Sequence, residues 1–155
     1  MTSRALAHAI LLTFAALAAA CASAPKPTLV AATVTTSADA NADSSGRASP
    51  LLVRVFELSN RAAFEAADYV SLFEREKPVL GAEMITVDEW IIAPKEERLL
   101  QRKLAPEARF IGVVAAYRDI ERAHWRAVVP VKAQADNTVT IRAGALAVTA
   151  TNAPR

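Results

Sequence analysis

Phe110-Ile111-Gly112-Val113-Val114-Ala115-Ala116-Tyr117 is apolar on both of its faces, and a run of this kind closed by Arg118-Asp119-Ile120-Glu121 reads as a central strand covered on two sides. Gly112 and the small residues among the large ones imply close approach by a neighbouring sheet or helix. After the seven-residue connection from Arg118 to His124 comes Trp125-Arg126-Ala127-Val128-Val129-Pro130-Val131. The face of that run bearing Trp125, Val129 and Val131 is more apolar than the one bearing Arg126 and Pro130, and the two runs together predict a hairpin. Pro130 puts the far end of its strand at an edge or a bulge. Trp90 and Trp125, each within an apolar strand, read as core anchors rather than stacking platforms.

Outward from this pair the same signals recur. Leu29–Thr36, Leu51–Leu58, Val87–Ile92, Arg98–Lys103, Thr138–Arg142 and Ala145–Ala150 are short strand-like runs, which with Arg109–Tyr117 and Trp125–Val131 make eight. In Leu51–Leu58 the residues Leu52, Phe56 and Leu58 share one face with Arg54, and Leu51, Val53 and Val55 share the other. Ser59-Asn60 can cap a helix from about Arg61 with Phe64, Ala67 and Leu72 on one side, a helix that should lie on a sheet. Lys77-Pro78 is expected to break it, leaving a short irregular or helical stretch from Val79 to Met84. The expectation is an all-β fold with a small helical insertion at about 61–84: a two-sheet antiparallel β-sandwich of about eight strands over 29–155.

The amino terminus has another character. Arg4 precedes Ala5–Ala20, which contains no charge, and then Ala18-Ala19-Ala20-Cys21, the architecture of a secretory signal over 1–20. Sixteen alanine-rich residues are short for the roughly 20 that a bilayer-spanning helix needs, and no basic cluster follows. The small residues before Cys21 resemble a bacterial lipobox, with Ala18 where leucine is usual and Leu17 one position further away. Ordinary secretion after Ala18-Ala19-Ala20 would instead leave Cys21 a free thiol. A lone cysteine forms no internal disulfide, which favours a covalent lipid on Cys21, a tether over 21–28 and a fold stable without bridges. Ala22, in place of the aspartate associated with inner-membrane retention, points to the outer membrane, periplasmic face.

Without Arg4 the chain carries 17 basic and 16 acidic residues. That balance, with no basic stripe or polybasic run, argues against nucleic acid as a partner. It names no anionic membrane either. Catalytic chemistry finds few tools: His124 is the histidine of the mature chain, and there is no GxGxxG, Walker loop or GxSxG. Glu121 and His124 have Glu-x-x-His spacing, but in a hairpin turn and once only, where the helical metal site needs it twice. Glu96-Glu97 would be solvated in a turn, and Arg98, Arg102 and Lys103 near Lys95 read as protection of an edge strand. The expectation is no enzyme, no metal and no cofactor beyond the lipid on Cys21.

Ser37–Pro50 contains almost nothing to bury and reads as a long exposed loop, a flexible connection or a functional one. The sequence resembles the TssJ (SciN-like) outer-membrane lipoproteins of bacterial type VI secretion over Leu29 to about Ala150. The residues that carry the resemblance are Pro50–Leu58, Ala63–Phe73, Leu80-Gly81, Ile111–Asp119 and Ala123-His124-Trp125-Arg126, in that order and spacing. It implies a transthyretin-like sandwich, tethered to the outer membrane, that binds the periplasmic carboxy-terminal domain of TssM within a TssJ–TssM–TssL membrane complex. It also places the partner contact on the loop of Asn41, Ala42, Asp43, Ser44, Ser45, Gly46, Arg47, Ala48, Ser49 and Pro50; the resemblance assigns no individual contact, and by their charge Asp43 and Arg47 are the natural rim contacts. The alternative is an envelope lipoprotein that binds a small ligand or inhibits an enzyme, with a pocket at Trp90 or Tyr117.

Overall fold

Strand β1 (Leu29–Thr36) buries Val30, Ala32, Val34 and Thr36 and turns Ala31, Thr33 and Thr35 outward, the two-residue period of a sheet with one face on a core. Seven more strands follow: β2 (Leu51–Leu58), β3 (Met84–Ile92), β4 (Glu97–Lys103), β5 (Phe110–Ala115), β6 (Arg126–Pro130), β7 (Asp136–Ala143) and β8 (Val148–Pro154). The computed structural model describes residues 25–154, so the expected signal peptide and Cys21 lie outside the described residues.

The strands form two four-stranded sheets, ordered β4-β1-β7-β8 and β3-β2-β5-β6. This is the expected two-sheet sandwich, and β5 and β6 pair antiparallel as the hairpin requires. One pair departs from the antiparallel rule: β1 runs parallel to β7, from Leu29 opposite Asp136 to Thr36 opposite Ala143. The two strands are far apart in sequence, so no tight turn constrains their direction. Strand β6 is an edge strand with Pro130 exposed at its end, as its sequence implied. Strand β4 is also an edge, where Arg98 pairs with Glu96 and Arg102 crosses to Asp88 on β3.

The two apolar faces of β2 belong to two cores. Leu51, Val53 and Val55 join Val34, Ile111, Val113, Val139 and Ile141 between the sheets, and Phe56 and Leu58 join Phe64, Leu72, Leu80 and Val114 beneath the helices. Three short helices, not one, make the second layer: α1 (Ala62–Ala66), α2 (Tyr69–Glu74) and α3 (Glu76–Leu80), followed by a 3-10 turn at Gly81–Glu83. The first break comes at Ala67, which is extended, because Asp68 caps α2: its carboxylate accepts from the Ser71 amide and hydroxyl, both at 2.8 Å. The Ser71 amide first, then the Ser71 hydroxyl, holds the Asp68 carboxyl below its ordinary value. Pro78 breaks nothing, since it falls in the first turn of α3, where its missing N–H has no intrahelical acceptor.

Two arginines from the sheet bind the helices to it. Arg126, on the face read as the more polar one, donates through Nη1 to the carbonyls of Phe64 (2.8 Å) and Ala67 (2.9 Å). Arg54 donates to the Phe73 carbonyl at 2.7 Å, with its guanidinium 4.5 Å from the centre of the Phe73 ring, and pairs with Glu89 at 2.5 Å and Glu76 at 3.5 Å. These carbonyls lie at helix ends, where no intrahelical donor remains and the partial charge is negative. Trp125 sits at the rim rather than in the interior: half-buried, it packs against both cores, meets the Tyr69 ring edge-on at 5.4 Å and lies 4.8 Å from the Arg126 guanidinium. Trp90 is likewise half-buried, against the core between the sheets.

Gly112 marks the tightest contact. A Cβ there would stand 2.8 Å from Phe64 Cζ and 3.0 Å from Leu58 Cδ1, in a layer where the Phe56 and Phe64 rings are fully buried with centroids 5.4 Å apart. Gly112→Ala is therefore expected to destabilise the fold by about 1–2 kcal/mol through overpacking, read as a lowered denaturation midpoint. A midpoint equal to wild type would show that the helical layer can move away from the sheet.

Candidate functional site

The two poles of the sandwich differ. One carries residues 25–28, where the chain enters β1, together with the connections 104–109 and 131–135. The other carries the β1–β2 loop (37–50), the β3–β4 turn (93–96), the β5–β6 connection (116–125) and the β7–β8 turn (144–147). β1 runs from pole to pole, and its eight residues at about 3.3 Å each separate them by roughly 25 Å.

The β1–β2 loop is built, not slack. Its sequence promised almost nothing to bury, yet Ala40, Asn41 and Ser49 are buried. The cause is Asn41, which takes the left-handed backbone conformation (φ 51°), tolerated by asparagine better than by most residues. Its side-chain amide donates to the Pro50 carbonyl, and its Oδ1 accepts from the Arg118 amide, both at 2.9 Å. One side chain thus closes the base of the loop and ties it to the β5–β6 connection. Above it the Ser49 amide donates to the Ala40 carbonyl at 3.0 Å, and the Asp43 amide to the Arg47 carbonyl at 2.9 Å.

The tip is organised by Asp43. Its Oδ1 accepts from the Ser45 and Arg47 amides at 2.9 and 3.0 Å, and its Oδ2 from Arg47 Nε at 2.9 Å. Gly46 (φ 76°) turns the chain between them. The Arg47 amide, ahead of the Arg47 side chain and the Ser45 amide, holds the Asp43 carboxyl below its ordinary value. A depressed carboxyl stabilises the loop fully above the unfolded value, and that contribution is lost as pH falls through the folded one. Asp43 and Arg47 are hence partners of each other. The Asp43 side chain is only 14% exposed and Arg47 81%, so the arginine is the charge the tip presents.

Beside the tip lies an open groove of about 670 Å³, walled by Ala42, Asp43 and Ser44 on one side and by residues 118–122 with Ala145 and Leu146 on the other. The sequence alone draws attention to 41–50, whereas the groove's second wall comes from 118–122. The signal was present in Arg118-Asp119-Ile120-Glu121-Arg122, an alternation of charge directly after a core strand. Asp119 and Arg122 pair at 3.3 Å, while Arg118 and Glu121 are exposed. An open, charged groove fits a protein surface better than a small apolar ligand, which wants an enclosed apolar pocket.

The other candidates fall elsewhere. His124 is exposed and held by its backbone, which donates to the Leu146 carbonyl at 2.8 Å and accepts from the Val148 amide at 2.9 Å. Among the described residues no three of His, Cys, Asp and Glu gather to hold a metal ion. Tyr117 is packed into the core between the sheets, its hydroxyl without a protein partner, and burial pushes the phenol well above its ordinary value. Neither Tyr117 nor Trp90 lines the groove.

The model of the type VI secretion lipoprotein family, which includes VasD, EvfM and TssJ, matches residues 28–146. The crystal structure of the T6SS lipoprotein TssJ1 from Pseudomonas aeruginosa is similar with a TM-score of 0.79 and 36% identity, covering 83% of this chain and 98% of that one. Serratia marcescens Lip, a membrane-bound component of the type VI secretion system, is similar at 0.71 and 24% identity over 82% of this chain and 96% of that one. A structure described as the T6SS protein TssM C-terminal domain from EAEC is similar at 0.63 and 20% identity, over 82% and 98%. Comparison with curated proteins finds no match.

Proposed function

Because the chain belongs to the type VI secretion lipoprotein family of VasD, EvfM and TssJ, we propose that it links the outer membrane to the periplasmic domain of TssM, lipid at one pole and loop at the other. Cys21 carries the acyl anchor on the periplasmic face of the outer membrane. The β1–β2 loop, from Asn41 to Pro50, holds the carboxy-terminal domain of TssM within a TssJ–TssM–TssL membrane complex. The reading is carried by one observation: a loop with no large apolar side chain to bury is nonetheless locked by Asn41, Asp43 and Arg47, at the pole opposite the chain's entry. Binding residues on a loop fixed to a rigid scaffold lose little entropy on association.

The mechanism is mechanical rather than catalytic. A partner held at the loop pole is held at a set height above the membrane, because β1 and its sheet neighbours transmit load along covalent and hydrogen-bonded backbone. The groove wall at 118–122 extends the contact, and Arg47, Arg118 and Glu121 offer exposed charges for register and on-rate. Copurification of the full chain from envelope extracts tests this: a large inner-membrane partner is the expected result. A retained small ligand with no such partner would overturn it in favour of a ligand-binding lipoprotein.

A further inference from the structure

No polybasic run exists in the sequence, but folding assembles one at the pole where the chain enters. Lys26 before β1, Lys103 at the end of β4, Arg109 before β5 and Lys132 after β6 come from four separate segments, and all are exposed. The same stretches, 25–28, 103–109 and 131–136, contain two acids, Glu107 and Asp136, and the ends of the helical insertion, 59–61 and 81–83, which reach this pole beside Phe110, add one charge of each sign, Arg61 and Glu83. Asp136 is occupied by Lys26 at 3.3 Å, and among the described residues Lys103, Arg109 and Lys132 have no carboxylate within ion-pair distance. The loop pole has the opposite balance: its connections 37–50, 93–96, 116–125 and 144–147 carry four cations against five acids.

The basic pole is also shaped. Pro25, Lys26, Thr28, Lys103, Arg109 and Gln134 are among the residues around a cleft of about 210 Å³. Arg109 Nη1 is fixed by the Pro106 and Ala108 carbonyls, both at 2.7 Å, which orients the guanidinium while the side chain stays exposed. We propose that this pole is a docking face for anionic phospholipid headgroups, which holds the sandwich upright on the bilayer with its loop pole outward. The orientation rests on the anchor reading: the four residues from Cys21 to Ala24, at most about 3.5 Å each, keep Pro25 within roughly 14 Å of the lipid attachment point. A tether this short lets the pole rest on the bilayer surface, where its cations come within the Debye length of about 8 Å at physiological salt and attraction to the headgroups survives.

The test uses the unacylated domain from residue 22 onward, which holds every strand and both cores. It is expected to cosediment with phosphatidylcholine vesicles containing phosphatidylglycerol, not with phosphatidylcholine alone, and to be released by salt. Lys103→Glu with Lys132→Glu, side chains that make no hydrogen bond or ion pair among the described residues, should weaken this at least about tenfold with an unchanged melt, since each change turns an attraction to the anionic surface into a repulsion. Arg109→Gln should weaken it further. Equal binding to neutral vesicles, no binding to anionic ones, or unweakened variants would overturn the proposal. Displacement by inorganic phosphate at constant ionic strength would overturn it too, by making the occupant a free anion. Since no acyl chain is present, none of these outcomes depends on whether Cys21 is lipidated, which acyl labelling of the full chain reads separately.

Discussion

Cys21→Ser is expected to abolish acylation and outer-membrane fractionation while the sandwich melts at the wild-type temperature. The first half follows from the anchor's arithmetic. A buried CH₂ contributes about 0.8 kcal/mol, one acyl chain binds only marginally, and several chains on one residue hold firmly. Losing the single attachment atom removes them all, and the chain has no second cysteine to replace it. The second half follows from where the fold begins. Both cores lie between Val30 and Val148, and the tether's ion pair, Lys26 with Asp136, joins two side chains that are each more than half exposed, a contact worth at most about 1 kcal/mol. Acyl label and density-gradient fractionation check the outcome after a high-salt wash, which strips protein held only through the basic pole. A serine variant that keeps the label or stays with the outer membrane would sink the anchor reading. A variant that fails to melt cooperatively would show that residues before Leu29 take part in folding.

The strands were legible because burial imposes period and run length directly on sequence. Leu51–Leu58 and Phe110–Tyr117 are apolar on both faces, and each proved central, with a second sheet on one side and helices on the other. Local order in the insertion was less legible. Helix propensity over Ala62–Ala67 and a proline at 78 suggested one helix with one break, whereas Asp68, a stronger local signal, starts a new helix by capping Ser71. Arg126 misled for a related reason: an arginine on a strand face reads as solvent-facing, but this one satisfies two helix-end carbonyls that no sequence window reveals. The loop shows the same limit more sharply. Composition excluded a hydrophobic anchor and so suggested slack, but order there comes from polar groups, and the two bonds of Asn41 reach 9 and 77 residues along the chain. The basic pole is likewise invisible in the sequence because its four cations are neighbours only after folding.

Replacing Ala42–Ala48 by a Gly/Ser linker of equal length, with Asn41, Ser49 and Pro50 kept, is expected to weaken TssM binding at least about thirtyfold, or about 2 kcal/mol. The thermal midpoint should change little. Loop-closure cost depends mainly on length, which is conserved, and the hydrogen bonds lost at the tip are largely exposed. Affinity falls for two reasons: Arg47 is removed, and the tip held by Asp43 must then be ordered at the moment of binding. Asn41→Ala acts on a different link of the chain. It deletes the bonds to Pro50 and Arg118 and puts alanine at φ 51°, so it should cost about 2–3 kcal/mol of stability while also loosening both walls of the groove. Asn41→Gly, free of the backbone strain, should recover part of that stability but not the binding, because the loop stays untied from Arg118. Titrations with the periplasmic domain of TssM, run beside thermal melts, separate these effects. Unchanged affinity for the linker variant would move the interface to the 118–122 wall. A collapsed melt for that variant would mean that the tip itself is packed structure.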